Sequence, residues 1–455
     1  ELHARAADPM GEQVLHVAPC FLHPAFGQIL RTSIDRFQNG LHRCAAYGAW
    51  EAFRQRPKTR KCPVLVLRSA FSLLTQCISN CPSITGLGAL SSLGHDVESH
   101  FHAISAGTTG MRPLAGLHGN DSSHAETPGA WITPRELLTN RKWSPASMAA
   151  LHVAREAVAS AGWGEAELRD AALIVGTSRG NAAGWLGPWP GRRPFKLMAA
   201  SNTIHSEPAT AVSIELGILG PNHVVASGCS AGLDALGLAK LLLDSGQTLR
   251  ALVVAVDLPL VPVLLDNYAS SGLLGKSPSL NPFSTSACGF IPAEGAAAIA
   301  LSSVETGKTA ITHFSNNSDG ADPVGVPADG GRTHLLLANA VRGAGAPAAI
   351  CPHATGTKIQ ARAERAFFGS LPQNGTTLHL LKPYFGHTVG ASGLLESAVL
   401  VRFMQDCLLP PNLPGTLGAA GLEAPTDPIA CTGSVFKLAH GMGGHNALAV
   451  FEQTP

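Results

Sequence analysis

One cysteine lies where a strand-like segment meets a helical segment. The sequence Ala-Ser-Gly-Cys-Ser-Ala-Gly at residues 226–232 follows an apolar run at 224–227 and overlaps the start of a helical run at 231–243. Its small residues allow a sharp turn that presents the thiol of Cys229 at a helix N-terminus. There the helix dipole and the free N–H groups favour thiolate and can hold an oxyanion during acyl transfer. Cys229 is therefore a candidate nucleophile, although an isolated cysteine at a strand end is more often a small packed residue.

Two histidines occupy similar turns farther along the chain. His353 lies in Pro-His-Ala-Thr-Gly-Thr at residues 352–357, and His387 lies in Lys-Pro-Tyr-Phe-Gly-His-Thr-Val-Gly-Ala-Ser-Gly at residues 382–393. Each follows a strand-like run, and side chains gather at the carboxyl edge of a parallel sheet. Imidazoles at such an edge can donate hydrogen bonds to developing negative charge. Alone, each histidine is more often a structural residue.

The elements that must position these residues alternate along the chain. With 455 residues, 45% hydrophobic and 14% charged, the sequence predicts an α/β enzyme with a sizeable core. Strands are predicted at 83–90, 172–177, 224–227, 251–256, 295–302, 348–351, 377–381 and 447–451, and helices at 149–161, 231–243 and 394–404. Such alternation indicates a largely parallel sheet, or two of them.

Together, the three segments around Cys229, His353 and His387 resemble the active-site motifs of β-ketoacyl synthases. These are the condensing enzymes of fatty acid and polyketide synthesis, within the thiolase-like superfamily. Their order and wide spacing also agree. Further similar segments are Ser-Ile-Thr-Gly-Leu-Gly-Ala-Leu-Ser-Ser-Leu-Gly at 83–94, Asn-Pro-Phe at 281–283, Gly-Phe-Ile-Pro-Ala-Glu-Gly at 289–295 and Gly-Met-Gly-Gly-His-Asn at 441–446.

The resemblance implies a fold and a division of the chain. The fold is the thiolase-like five-layer αβαβα arrangement of two similar halves, each with a mostly parallel sheet. Residues 83–303 would form the N-terminal half with the nucleophilic cysteine, and residues 304–453 the C-terminal half with the two histidines. Residues 1–82 would be an N-terminal extension, to which we assign no role.

The resemblance also implies a mechanism for matching residues. Cys229 would accept an acyl chain from a phosphopantetheine thiol, and a malonyl-type extender would lose carbon dioxide and attack that thioester. His353 and His387 would stabilise the extender enolate, and the backbone N–H groups of Cys229 and Met442 would form the oxyanion hole. The supporting residues would be Lys382 and Glu396, and the acyl-pocket gate would comprise His440 and Met442.

The residues beside the cysteine differ among related enzymes and indicate which reaction to expect. Two histidines beside the cysteine are typical of elongating enzymes that use carrier-protein substrates, whereas chain-starting relatives use His and Asn. Degradative thiolases have a second cysteine near the C-terminus, where this chain has His445. We therefore expect a β-ketoacyl-acyl-carrier-protein synthase, an acyltransferase of the EC 2.3.1 type. The alternatives are a non-condensing acyltransferase of the same fold and a catalytically silent partner subunit of a ketosynthase heterodimer.

Composition narrows the partners. A formal net charge of +1 gives no support for nucleic-acid binding. The sequence contains no run of 18 apolar residues, so we predict no membrane span. We expect no metal and no tightly bound cofactor, an acyl carrier protein as partner, a homodimer with a heterodimer as the alternative, and a cytoplasmic location. A basic cluster at 191–196 is a candidate contact for an acidic carrier, or an ordinary solvated surface.

Some segments depart from the family pattern. His440 and Met442 stand where relatives commonly have aromatic residues, which leaves gating and chain length open. Ala361 replaces a common Asp, and residues 281–287 lack the usual charges. None of these changes removes a reacting group.

Overall fold

The computed structural model describes residues 81–186, 201, 204–277, 280–369, 371 and 375–454. Nearly all of the extension predicted at 1–82, and the basic cluster at 191–196, lie outside these residues. Within them, the chain alternates between strands and helices as the apolar runs predict. No helix of the described residues is both long and apolar enough to cross a lipid bilayer.

The strands and helices are numbered in chain order. The main strands are β1 Ser83–Leu90, β2 Ala172–Gly176, β3 Asn222–Val225, β4 Arg250–Asp257, β5 Gly295–Ser302, β6 Thr309–Ser318, β7 Ala349–Cys351, β8 Thr377–Leu378, β9 Val435–Gly441 and β10 His445–Gln453. The longer helices are α1 Val97–Ser105, α2 Pro145–Ala161, α3 Glu207–Leu216, α4 Ala231–Asp244, α5 Pro262–Ser270, α6 Thr333–Ala344, α7 Lys358–Phe368 and α8 Ser392–Gln405. Short helical turns are Ala115–His118, Arg135–Leu138, Glu165–Arg169, Ala182–Leu186, Gly228–Ser230, Lys382–Phe385 and Val389–Ala391. Two small ribbons pair Arg112–Pro113 with Pro128–Gly129 and Leu408–Leu409 with Ile429–Ala430.

The strands form two half-sheets of identical topology. Their order is β8-β7-β9-β10-β6 in one half and β3-β2-β4-β5-β1 in the other. In each half, the strands therefore follow the chain order 3-2-4-5-1. The three outer strands of each half pair in parallel and the two inner strands pair antiparallel. The halves join where β1 meets β6 through two residue pairs. This repeat is present in the topology although no repeat is evident at the residue level.

The helices complete five layers. Helices α4 and α8 lie between the half-sheets and pack into one central apolar core. Helices α2 and α3 cover the outer face of the first half-sheet, whereas α6 and α7 cover that of the second. The expected αβαβα arrangement of two similar halves is thus confirmed. Because α4 and α8 begin at the same region between the halves, their N-terminal ends bring residues from both halves together.

Helix α2 shows how capping residues and buried apolar residues define an outer helix of this fold. Helix α2 begins at the N-cap Ser144, whose side chain accepts a hydrogen bond from the Ser147 N–H, and Pro145 occupies its first turn. It ends at Gly162, which adopts a left-handed φ of 67°. Its apolar side packs against β1 with buried alanines and valines.

Two glycines of β1 allow this close packing. A Cβ built on Gly88 would lie 2.2 Å from the Val153 carbonyl oxygen, and one on Gly86 would lie 2.1 Å from that of Ala157. Both neighbours are helix backbone, which cannot move aside without displacing α2. The glycines therefore set the strand–helix distance.

Substituting Gly88 with alanine should destabilise the protein by about 1–3 kcal/mol, because the methyl group overpacks against the α2 backbone. Chemical denaturation measures the change. Gly343→Ala in α6 is the matched control, since its Cβ would meet nothing closer than 4.0 Å. The control should be neutral or slightly stabilising. Equal midpoints for Gly88→Ala and the wild type would contradict this packing account.

Candidate active site

Cys229 lies in a tight turn between β3 and α4. The turn Gly228–Ser230 is a 3-10 helix that leads directly into α4, as the small residues predict. Gly228 has a φ of 64°, and a Cβ there would lie 3.3 Å from the Met442 backbone nitrogen. Only glycine fits this close approach and this backbone conformation. The loop from the second half therefore touches the turn that holds the thiol.

His387 faces the thiol directly. Its Nε2 lies 3.2 Å from the Cys229 Sγ, and its Nδ1 lies 2.9 Å from the Ser392 Oγ at the start of α8. The Ser392 Oγ also lies 3.1 Å from the Thr388 Oγ1. Because a hydroxyl can donate or accept, this pair of hydroxyls is compatible with either neutral tautomer of His387.

His353 lies beside His387. Their ring centroids are 5.3 Å apart with an interplanar angle of 88°. The His353 Nδ1 is buried and has no hydrogen-bond partner among the described residues. The Ala354 N–H donates a 2.8 Å hydrogen bond to Glu364, which holds the turn after the histidine. The structure thus brings together the three residues that the sequence motifs single out.

A buried ion triad lies behind the histidines. Glu396 accepts hydrogen bonds of 2.6 Å from the Nζ atoms of both Lys382 and Lys437. Lys437 also donates to the Pro352 carbonyl at 3.2 Å, immediately before His353. Burial tends to raise the pKa of Glu396, but the two ammonium groups outweigh it, so the net pKa is lowered.

The sequence motifs identified Lys382 and Glu396 but missed Lys437. It lies in β9, where its neighbours are apolar, and it is fully buried. A lysine within an apolar strand is itself a signal, because a buried ammonium requires a partner.

The two residues expected to gate the acyl pocket differ in environment. His440 is buried and fixed from both ring nitrogens, with Nε2 2.9 Å from the Thr333 Oγ1 and Nδ1 2.8 Å from the Gln360 side-chain nitrogen. Met442 is 36% exposed. His440 therefore forms a rigid polar wall, with its ring centroid 5.6 Å from that of His353. The unbranched side chain of Met442 is the more adaptable of the two.

These groups face one cavity. It is lined by the nucleophile, the three histidines and a mainly apolar rim: Cys229, His353, His387, His440, Gly441, Met442, Leu273, Phe290, Val324, Val326, Ile359, Thr355, Thr357 and Gln360. Within the described part of the chain, no cluster of three or more His, Cys, Asp or Glu side chains is arranged to hold a metal ion. The cavity is suited to an organic substrate held by a few polar groups.

Burial sets the protonation states. It raises the pKa of Cys229 to about 12, with a further increase from Asp257, and this acts against the helix terminus that the sequence suggested would favour thiolate. Burial also lowers the pKa values of His353 and His387 well below 6.5, with Lys382 adding to both effects. The resting site therefore contains a thiol and neutral imidazoles. A neutral His387 can accept the thiol proton.

Decarboxylation of a malonyl thioester, the reaction that the sequence resemblance implies, should show no inflection of its rate near pH 6.5, because both histidines are already neutral there. The pH dependence of carbon dioxide release measures this. The lowered pKa values also make the stability of the protein depend on pH, in the opposite direction to a histidine whose pKa is raised by a carboxylate partner. The unfolded histidines bind protons that the folded ones exclude, so stability is lost as the pH falls below 6.5. A loss of rate centred near pH 6.5 would contradict the neutral assignment.

The chain matches the two parts of one protein family. The family model described as "Beta-ketoacyl synthase, N-terminal domain" matches residues 83–307, and "Beta-ketoacyl synthase, C-terminal domain" matches residues 309–416. Together they cover more than half of the 455 residues.

Curated relatives carry corresponding names. The chain is 24% identical over 372 residues to "3-oxoacyl-[acyl-carrier-protein] synthase 2" of Rhizobium meliloti, covering 72% of this chain and 87% of the relative. It is 28% identical over 334 residues to "Highly reducing polyketide synthase sphB" of Aspergillus fumigatus, covering 66% of this chain but 13% of the relative. It spans 8% of the polyketide synthase ALT1 of Alternaria alternata and 63% of "Putative polyketide beta-ketoacyl synthase 1" of Streptomyces virginiae. The chain thus covers less than two thirds of the length of several relatives that it matches.

Solved structures share the fold. "The ishigamide ketosynthase/chain length factor" superposes with a TM-score of 0.70 at 20% identity, covering 83% of this chain and 100% of that one. A type II ketosynthase in complex with its acyl-carrier protein, AntDE:AntF, superposes with a TM-score of 0.69 at 21% identity, covering 82% and 100%. These superpositions show that the fold is shared, and the two family models cover more than half of the chain. The chain therefore belongs to the beta-ketoacyl synthase family.

Proposed function

We propose that this chain forms carbon–carbon bonds by decarboxylative condensation of an acyl group on Cys229 with a malonyl-type thioester. The observation that carries this proposal is the 3.2 Å approach of the His387 Nε2 to the Cys229 Sγ in a cavity that also contains His353. A single histidine would suffice to activate a thiol. The second histidine supplies the additional donor that an enolate intermediate needs.

The first step transfers the acyl chain. The His387 Nε2 takes the Cys229 proton while the sulfur attacks the acyl thioester carbonyl. The backbone N–H groups of Cys229 and Met442 stabilise the tetrahedral oxyanion. The bond to the carrier thiol then breaks, and that thiolate receives the proton from His387. Cys229 holds the acyl chain as a thioester, and His387 is neutral again.

The second step generates and uses the carbon nucleophile. The malonyl carboxylate leaves as carbon dioxide, and its bonding electrons form an enolate whose oxygen accepts hydrogen bonds from His353 and His387. The enolate carbon attacks the Cys229 thioester, the new carbon–carbon bond forms, and the carbon–sulfur bond breaks. Cys229 leaves as thiolate and regains a proton, so each cycle takes up one proton. The β-ketoacyl product stays on the extender's carrier.

The buried triad has a positioning role in this proposal. Lys382, Glu396 and Lys437 fix the backbone before His353 and add positive charge behind the enolate. That charge also keeps the imidazoles from protonating. Hydrogen bonding from neutral imidazoles then stabilises the enolate without a proton transfer to it.

The proposed partners follow from the substrates. The acyl and malonyl groups would arrive on the phosphopantetheine of an acyl carrier protein, with no tightly bound cofactor. The described cysteines Cys81, Cys229, Cys288, Cys351, Cys407 and Cys431 are all free thiols, which suits a cytoplasmic location. Strand β3 exposes Asn222 and His223 and is the last strand of the sheet among the described residues, so its outer edge is the proposed contact for a second copy. Light scattering should therefore give about twice the chain mass, as a homodimer requires.

The test separates the two steps with His353→Ala and His387→Ala. Acyl loading on Cys229 is followed by intact-protein mass spectrometry, and product by analysis of the malonyl carrier. Both variants should lose at least about 100-fold in carbon dioxide release and β-ketoacyl product, because each removes an enolate donor. His353→Ala should still load, since it does not contact the thiol. Loading without any β-ketoacyl product in the wild type would instead favour a non-condensing acyltransferase.

A further inference from the structure

A half-buried arginine, Arg179, lies beyond the catalytic residues and follows the carboxyl end of β2. The backbone of Arg179 is held by Asp257, which also binds the Thr177 hydroxyl, the Ser178 N–H and the Gly390 N–H at 2.7–2.9 Å. Each carboxylate oxygen of Asp257 thus accepts two hydrogen bonds. This fixes the loop and leaves Asp257 saturated.

Among the described residues, the Arg179 side chain forms no ion pair, and its Nε is buried without a hydrogen-bond partner. Its guanidinium carbon lies 5.6 Å from the ring centroid of Tyr268. Partial burial removes water from this cation, and an acceptor oxygen on a ligand can replace that water.

A path of aromatic contacts leads from this arginine to the catalytic cavity. The Tyr268 and Phe290 ring centroids are 5.5 Å apart, and those of Phe290 and His387 are 5.1 Å apart. Phe290 lines the cavity with Cys229. Around Tyr268 the packing is apolar, with Ala182, Val261, Leu264, Leu273 and Leu274. Methylene groups of an acyl chain suit such surroundings, and Arg179 is the cationic group at their far side.

The charges also act on one another. Burial raises the pKa of Cys229, and Arg179 is the first of the groups that oppose this rise. The guanidinium is thus within electrostatic range of the sulfur.

We propose that Arg179 binds an oxygen on the distal part of the Cys229-bound acyl chain, so that the substrate is an oxygenated acyl group rather than a plain fatty acyl group. This inference rests on the proposed acyl loading of Cys229. A carboxylate would accept two parallel hydrogen bonds from the guanidinium, and a ketone would accept one or two. Either oxygen replaces water at the guanidinium, whereas a methyl terminus offers no acceptor.

The test compares pantetheine thioesters of matched length: adipoyl with a terminal carboxylate, 5-oxohexanoyl with a ketone, and plain hexanoyl. Intact-protein mass spectrometry gives the rate of acylation of Cys229. The wild type should load at least one oxygenated chain about tenfold faster than hexanoyl. Preference for adipoyl alone identifies a carboxylate, and preference for both identifies a carbonyl oxygen.

The variants show whether Arg179 is responsible. Arg179→Met should remove the preference, so that adipoyl and 5-oxohexanoyl load no faster than hexanoyl in the same variant. Because Arg179 also lowers the pKa of the Cys229 thiol, the ratio of rates between chains is the readout rather than the absolute rate. Arg179→Lys, which keeps the charge and guards against a folding defect, should retain part of the adipoyl preference. The exposed Arg342→Met is the control and should behave as the wild type.

Three results would overturn the inference. One is equal or faster loading of hexanoyl by the wild type. Another is an equal loss for all three chains in Arg179→Met, which would place the arginine's effect on the thiol. The third is no loading of any chain while iodoacetamide still alkylates Cys229, which would overturn the proposed function together with this inference.

Discussion

Replacing Cys229 with alanine should abolish acyl loading and reduce β-ketoacyl formation by at least about 1000-fold, because no other group in the cavity can form the thioester. The buried thiol of Cys351 donates a hydrogen bond to Glu396 at 3.6 Å and does not line the cavity. Intact-protein mass spectrometry after incubation with an acyl carrier measures the loading. Product analysis in the same sample measures condensation.

The control for this prediction is an exposed thiol. Cys288 is accessible to solvent and does not line the cavity, so Cys288→Ala should load and condense at the wild-type rate. The proposed transfer of the Cys229 proton to His387 is tested by His387→Ala, which should load the acyl group more slowly at neutral pH than at high pH. An acyl adduct that persists in Cys229→Ala would place the nucleophile elsewhere and contradict the account.

Glu396→Gln should destabilise the protein by about 3–5 kcal/mol, because it leaves two buried ammonium groups without a carboxylate. Lys382 is 6% exposed, Lys437 is 0% exposed and Glu396 is 1% exposed, so water cannot take the place of the lost partner. Urea unfolding measures the loss. Carbon dioxide release should fall as well, since the turn before His353 depends on Lys437.

A second substitution tests the cause of that loss. Lys437→Met in the Glu396→Gln background removes one of the unpaired charges and should recover part of the stability. On the surface, Asp406→Asn breaks a pair with Arg402 in which the aspartate is 43% exposed, and it should change stability by less than about 1 kcal/mol. A Glu396→Gln protein as stable as Asp406→Asn would show that the triad is not a buried ionic unit.

Apolar runs predicted eight of the ten main strands but only three of the eight longer helices, α2, α4 and α8. The strand Gly295–Ser302 coincides with its prediction because every residue in it is buried. The strand Thr309–Ser318 was missed. Its second half, Phe-Ser-Asn-Asn-Ser at 314–318, is mostly polar and only partly buried, so no continuous apolar run marks the strand. The strand Val435–Gly441 was missed because Lys437 interrupts its apolar pattern.

The proposed catalytic residues Cys229, His353 and His387 could be singled out from the sequence because each lies in a compact local motif. Residues that depend on distant partners were not. Asp257 holds segments around residues 178 and 390, and the Arg179 Nε is buried without a hydrogen-bond partner in the part of the chain that the structure describes. Pairings over such separations are set by the fold and leave no local pattern. The direction of the Cys229 pKa shift likewise depends on burial, which the helix N-terminus alone does not reveal.

The most direct test of condensation is intact-protein mass spectrometry of one sample in two stages. An acyl carrier is added first, and the mass of the protein should rise by the acyl group in the wild type but not in Cys229→Ala. A malonyl carrier is then added. The account predicts that the acyl mass disappears from the protein as carbon dioxide is released and a β-ketoacyl carrier appears, extended by two carbons. Acyl mass that remains on Cys229, with no β-ketoacyl carrier formed, would contradict it.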